Sequence, residues 1–156
     1  MNKEQLLARQ KELKDKIERL NTKQHCIKVF INSVYGFFGN KHASFGDDDI
    51  AASITLTGQA VIKQAAELSA EFINTNYNLN TTASEVRTYG DTDSLYISLS
   101  KIPELNFSEN GKITKETYSV VDKIEKYINN GISKWAKSSL NSKDSRFLFK
   151  RESLAD

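Results

Sequence analysis

The chain has 156 residues, enough for one domain with a hydrophobic core, and its 22 Lys and Arg against 20 Asp and Glu leave a net charge of only +2. No global field therefore recruits nucleic acid, and any such contact must come from local basic clusters. The single cysteine, Cys26, excludes an internal disulfide, Cys26 with only His25 and His42 excludes a Cys/His metal cluster, and the absence of a long apolar run or signal peptide leaves no membrane contact and the cytoplasm as the expected compartment.

From Asn2 to Val34 the pattern is helical, with Leu6, Leu13, Ile17 and Leu20 recurring among alternating charges. Asn21-Thr22 is expected to punctuate this run and cap a second helix through Cys26, Phe30 and Val34. That second helix is expected to stop near Gly36 and Gly39-Asn40, residues that accept left-handed backbone. Asp47-Asp48-Asp49 suits the N-terminus of the next helix. Its stripe is Ile54, Gly58, Val61, Ala65, Leu68 and Phe72, and the Asn-rich run Asn74 to Asn80 reads as a loop.

From Glu85 to Leu99, β-branched and aromatic residues flank Gly90-Asp-Thr-Asp93, the pattern of a strand, a tight turn and a strand. Pro103 to Gly111 reads as a loop. Tyr118, Val121, Ile124, Ile128, Ile132 and Trp135 mark a further amphipathic helix, in which Gly131 is a weak point. Arg146 to Glu152 reads as a last strand. The chain then ends without a capping element, as an incomplete domain would. The expected fold class is α+β.

Two clusters could carry chemistry. Asp91 and Asp93, one residue apart on a turn, can converge on a hard cation such as magnesium, and Gly90 would let the backbone turn sharply. An EF-hand starting at Asp91 fails, because its sixth residue is Tyr96 rather than Gly and its twelfth is Ile102 rather than Glu. A plain Asx turn stays open as the alternative. In the segment Lys28 to Gly36, Lys28, Asn32 and Tyr35 fall at i, i+4 and i+7 and share one helix face, a cation, an amide and an aromatic in order. An ordinary amphipathic helix with a solvated lysine stays open there too.

Taken together, K-x-x-x-N-S-x-Y-G at Lys28 to Gly36 and Y-G-D-T-D-S at Tyr89 to Ser94 resemble family B DNA polymerases, in the family's order. Gly36-Phe-Phe-Gly-Asn40, Ala52-Ser-Ile-Thr55 and Gly58-Gln59 look like the phage T4-type branch. The resemblance runs from about Gln24 to Glu152 and implies a helical fingers portion at 1–40. It implies a partial palm at 41–156, with an antiparallel β-hairpin packed by helices.

What the resemblance implies for individual residues follows the matched motifs. Lys28 would contact the triphosphate; Asn32 and Tyr35 would lie beside the nascent base pair. Ser33 would support the helix, and Gly36 would let the backbone approach closely. Asp93 would be a metal-binding catalytic aspartate, with Asp91 less direct and Glu152 a further acid near the metals, unless Glu152 is an ordinary surface glutamate. The implied cofactor is Mg2+ in a two-metal site. Its substrates would be deoxynucleoside triphosphates and primer-template DNA.

The D-x-x-S-L-Y-P motif carrying the other metal-binding aspartate does not occur in the sequence, nor do exonuclease acids or a thumb. The resemblance therefore implies a DNA-directed DNA polymerase active only with a complementary chain supplying that aspartate and the thumb, in the host cytoplasm if viral. Met1 fits a split gene or an expressed fragment alike. The alternative is a nucleotide- or nucleic-acid-binding remnant without catalysis, in which Lys41, Lys112, Lys115, Lys134, Lys137, Lys143, Arg146, Lys150 and Arg151 touch phosphates or simply stay solvated.

Overall fold

The computed structural model describes residues 3–40, 42–44, 46–91, 94–103, 105–109 and 111–155. The chain is α+β and divides into two compact units, Met1–Ile54 and Thr55–Asp156.

In the first unit, α1 spans Lys3–Phe38 as one helix of 36 residues. The expected break at Asn21-Thr22 does not occur. Neither residue forces the backbone out of a helix as proline would, and the Thr22 hydroxyl satisfies itself by donating to the Glu18 carbonyl one turn back, at 2.9 Å. Gly36 lies inside the helix, which ends just before Gly39. The chain then turns tightly. The Gly46 N–H donates to the Ala43 carbonyl at 2.9 Å, and the Asp47 N–H to the Phe38 carbonyl at 2.9 Å. A Cβ on Gly46 would stand 2.1 Å from the Asn40 carbonyl oxygen, so this corner admits only glycine. The Asp47 carboxylate accepts from the N–H groups of Asp49 and Ile50, at 2.9 and 3.2 Å, and caps the start of α2, Asp48–Tyr77.

The second unit holds the core. The larger part of α2 contributes Val61, Ala65, Leu68 and Phe72 from the expected stripe, joined by Ile73; Ile54, at the stripe's start, is exposed. The helix runs past Asn74 into the stretch expected to be loop. Asn74 keeps its helical place while its amide brackets Thr81: its Oδ1 accepts the Thr81 N–H at 2.7 Å and its Nδ2 donates to the Thr81 carbonyl at 2.8 Å. Asn78, at φ +51°, turns the chain.

One helical turn, α3 at Ala83–Val86, occupies the start of the expected strand. Glu85 explains it: its carboxylate accepts the Thr82 N–H at 2.8 Å and the Thr82 hydroxyl at 2.9 Å, tying off the helix start. Strands β1, Arg87–Gly90, and β2, Leu95–Ile97, then form the expected antiparallel hairpin, with Tyr89 opposite Tyr96 and Gly90 opposite Leu95. The stretch expected to be a plain loop contains a second, minimal hairpin, β3 at Ser108–Glu109 with β4 at Lys112–Ile113. Gly111, at φ +71°, supplies the left-handed residue beside it.

Helix α4, Lys115–Ser139, closes the core. Thr114 caps it, accepting the Thr117 N–H at 3.2 Å. The buried face is Thr117, Val120, Ile124, Ile128, Ile132 and Ala136, so Tyr118 faces outward, contrary to expectation. Thr117 is tolerated inside because its hydroxyl donates to the Phe107 carbonyl at 3.1 Å. Gly131, expected to be a weak point, is where α4 meets Leu68 of α2: a Cβ there would lie 2.6 Å from both Leu68 methyl carbons. The segment 146–152 forms no strand. It is held to α4 by side chains, with the Arg151 N–H donating to the Glu125 carboxylate at 3.0 Å. Among the described residues, no helix is long and apolar enough to cross a membrane.

Candidate functional site

In the first unit, the continuity of α1 gives the Lys28 to Gly36 motif its geometry. At about 100° per residue, Lys28, Asn32 and Tyr35 line one face of the helix, and all three are exposed. Ser33 does not join that face; its hydroxyl donates to the Val29 carbonyl at 2.8 Å and stays within the helix. Gly36 is the informative residue. A Cβ there would meet nothing within 4 Å, and the backbone is helical. Glycine inside a helix costs about 1 kcal/mol relative to alanine, and among the described residues no side-chain packing at this position offsets it.

In the second unit, the Asp91 N–H, just after β1, donates to the Ser94 carbonyl, just before β2, at 3.0 Å. Asp91 is exposed. Asp93, with Thr92, lies outside the described residues. Gly90 does not have a left-handed backbone, and a Cβ there would find ordinary contacts of 3.5 Å or more, so the sharp turning expected of it is not required.

Glu152 is exposed on the C-terminal segment and lines the same groove as Ser94, a cavity of about 1300 Å3 bounded also by Tyr96, Ile124 and Phe149. Its neighbour Arg151 is held in place by Asp122 and sits 5.1 Å from the centre of the Tyr118 ring. Of the basic residues named as phosphate contacts, Arg151 is therefore engaged within the chain, Lys41 lies outside the described residues, and the others are exposed. Among the described residues, no group of three or more His, Cys, Asp or Glu side chains converges to hold a metal ion.

One feature was not singled out in the sequence. Tyr89 and Tyr96 meet edge to face, ring centres 5.5 Å apart, and each is more than half exposed. Pairing the two strands about the turn would have found this aromatic platform.

Against known proteins, DNA polymerase family B matches residues 2–134. The chain is 37% identical over 84 residues to the DNA-directed DNA polymerase of Enterobacteria phage T4, covering 54% of this chain and 9% of the phage protein. It is 39% identical over 74 residues to DNA polymerase 1 of Aeropyrum pernix, covering 47% and 7%. It is 32% identical over 115 residues to DNA polymerase 1 of Sulfolobus acidocaldarius, covering 67% and 11%. The chain thus spans only 7% to 11% of the length of these relatives. No solved structure matches it.

Proposed function

This chain belongs to DNA polymerase family B, and we propose that it supplies the nucleotide-contacting fingers helix and one metal-binding palm turn of a DNA-directed DNA polymerase. Residues 1–40 are the fingers portion in this reading and 41–156 the palm portion. The observation that carries it is the exposed face of α1, where Lys28, Asn32 and Tyr35 align and where a Cβ on Gly36 would meet no described residue within 4 Å.

The chemistry assigned to each residue follows from its type. The Lys28 ammonium is a compact cation suited to a triphosphate, whose charge it partly neutralises. The Asn32 amide and the Tyr35 ring orient the sugar and base of the incoming deoxynucleoside triphosphate on the primer-template. The exposed Gly36 backbone lets that substrate come close. Ser33 keeps the helix regular through its bond to Val29. Positioning and charge neutralisation of this kind supply most of the acceleration in phosphoryl transfer.

Asp91 offers hard carboxylate oxygens, the donor type Mg2+ prefers, and Asp93, two residues on in the sequence and outside the described residues, is assigned the same role. The described residues do not make a closed ligand set, so completion by an aspartate of a complementary chain, which also brings the thumb, belongs to the proposal. When bound, the metal pair would activate the primer hydroxyl and offset charge on the departing pyrophosphate. Glu152, on the groove it shares with Ser94, is assigned a place near that pair. The reaction is assigned to the cytoplasm, that of the host if the chain is viral.

The test is Mg2+-dependent extension of a primed DNA template by the chain alone and mixed with a chain carrying the D-x-x-S-L-Y-P motif. Extension only in the mixture, lost on Asp93→Asn, is expected. Extension by the Asp93→Asn mixture would refute the role given to Asp93.

A second reading, a nucleotide- or nucleic-acid-binding remnant without chemistry, is favoured by the exposure of Lys112, Lys115, Lys134, Lys137, Lys143, Arg146 and Lys150. DNA affinity that falls with salt and ignores Mg2+, with no extension in any mixture, would select it.

A further inference from the structure

Helix α4 carries a charge pattern on the side away from the core. Lys115, Lys123, Lys126, Lys134 and Lys137 are all exposed. At about 100° per residue they fall within about 100° of arc on one face of the helix, with Ser119, Asn130 and Ser133 interspersed among them. No apolar residue lies in that arc. The acids of α4 stand aside. Glu116 and Asp122 lie at the two edges of the arc and Glu125 lies beyond it. Asp122 is taken up by the Arg151 guanidinium, and Glu125 accepts the Arg151 N–H at 3.0 Å. Among the described residues, none of the lysine ammonium groups in the arc has an ion-pair partner. A chain with a net charge of only +2 thus concentrates unpaired cations along one helix face.

The composition of this strip names its ligand. Lysines interleaved with Ser and Asn side chains are the groups that contact the sugar-phosphate backbone of nucleic acid. A protein partner would need apolar or aromatic anchors, and a membrane surface would need apolar side chains to insert; the arc has neither. A single strand is held by bases stacked on open aromatic rings. Tyr118 stands outside the arc, and its ring already carries the Arg151 guanidinium 5.1 Å from its centre. The strip is unbroken and runs about 33 Å from Lys115 to Lys137, at 1.5 Å per residue, against about 34–36 Å for one turn of a duplex. A surface depression of about 540 Å3 lies along its first half, between Lys115 and Lys126. We propose that the outer face of α4 is a binding track for the phosphate backbone of a nucleic-acid duplex, read by charge and not by base sequence. The track calls on neither the α1 motif nor Asp91, so it holds under either reading of the function.

The probe is a fluorescently labelled DNA duplex of arbitrary sequence, about two helical turns long, titrated with the full chain at several salt concentrations and followed by anisotropy. Saturable binding that weakens steeply with salt is expected. Combined Lys115→Gln, Lys123→Gln, Lys126→Gln, Lys134→Gln and Lys137→Gln should weaken it at least about tenfold at low salt. The same variant should flatten the log–log salt dependence by about 0.9 for each lysine that meets a phosphate. Arginine at the same positions should keep the binding. These side chains are exposed and Gln is about as good a helix former as Lys, so circular dichroism and Trp135 fluorescence should not change. A matched set on α1, Lys11→Gln, Lys14→Gln, Lys16→Gln, Arg19→Gln and Lys23→Gln, removes the same charge and should weaken binding far less. Equal losses from the two sets would overturn the proposal, because overall charge alone would then account for the binding. So would unchanged affinity in the α4 set, tighter binding of a single strand of the same length, or tighter binding of phosphatidylserine vesicles that the α4 set abolishes. The readout is binding, so a failure of primer extension would count against the polymerase reading and leave this one standing.

Discussion

Asn129 holds Phe149 by both edges of its backbone: its Nδ2 donates to the Phe149 carbonyl at 2.9 Å, and the Phe149 N–H donates to its Oδ1 at 2.8 Å. A single side-chain amide on α4 thus does for the C-terminal segment what a neighbouring strand would do. Asn129→Ala leaves two part-buried backbone groups without these partners and should destabilise the chain by about 1–3 kcal/mol. Urea denaturation should record this loss, and limited proteolysis should show faster cleavage within 146–152.

Gly131→Ala sets two effects against each other. Helix propensity favours alanine by about 1 kcal/mol, but the new methyl would stand 2.6 Å from both Leu68 methyl carbons in a buried contact. Overpacking of this kind costs about 1–3 kcal/mol, so net destabilisation is expected. Leu68→Ala opens the space the methyl needs. The double variant should therefore be more stable than the sum of the single losses predicts, as a thermal double-mutant cycle would show.

Glu85 makes stability depend on pH. The Thr82 N–H, the Thr82 hydroxyl and then the Lys101 ammonium hold its carboxyl below the usual glutamate range. A pKa lower in the folded state means the stabilisation is present above the ordinary glutamate pKa of the unfolded chain. It is lost as pH falls through the lower folded value. The stability gap between the native chain and Glu85→Gln should be largest near neutral pH and shrink on acidification through that window. A gap that stayed constant across acid denaturation curves would contradict this.

Gly36→Ala should separate stability from function. With nothing within 4 Å of the new methyl, helicity of α1 should rise, by up to about 1 kcal/mol. Primer extension by the assembled polymerase should fall, because the methyl stands where the substrate is proposed to approach. Unchanged extension would remove Gly36 from the site.

Lys28→Ala should raise the KM for nucleotide in the same assay by about ten- to a hundredfold, the scale of one charge-assisted hydrogen bond. Lys28→Arg should recover part of it. Lys28 is exposed, so melting of the second unit should not move.

The sequence was most legible where local pattern and tertiary demand agree. The core faces of α2 and α4 follow their apolar spacing, and β1 and β2 pair antiparallel where the β-branched and aromatic residues placed them. It was least legible where one side chain decides between two backbones. Thr22 looked like a cap but bonds back to Glu18, so α1 continues; Glu85 looked like a strand residue but ties off a helical turn. Asn129 replaced a strand partner from another element, a contact far away in sequence that no local window reveals. At the site, the shared face of Lys28, Asn32 and Tyr35 was readable from spacing. The open space around a Cβ at Gly36 was not, because emptiness around a residue exists only in three dimensions.

The unbroken length of α1 makes it a ruler. From Leu6 to Gly36 no proline or kink-forming break interrupts the ladder, so each residue's number fixes both its height along the axis and its face. Lys28 and Tyr35 stand about 10.5 Å apart along that axis, at 1.5 Å per residue. Deleting one residue between them would swing one side chain about 100° away from the face of the other. Spacing in the sequence is therefore already spacing across whatever this face meets.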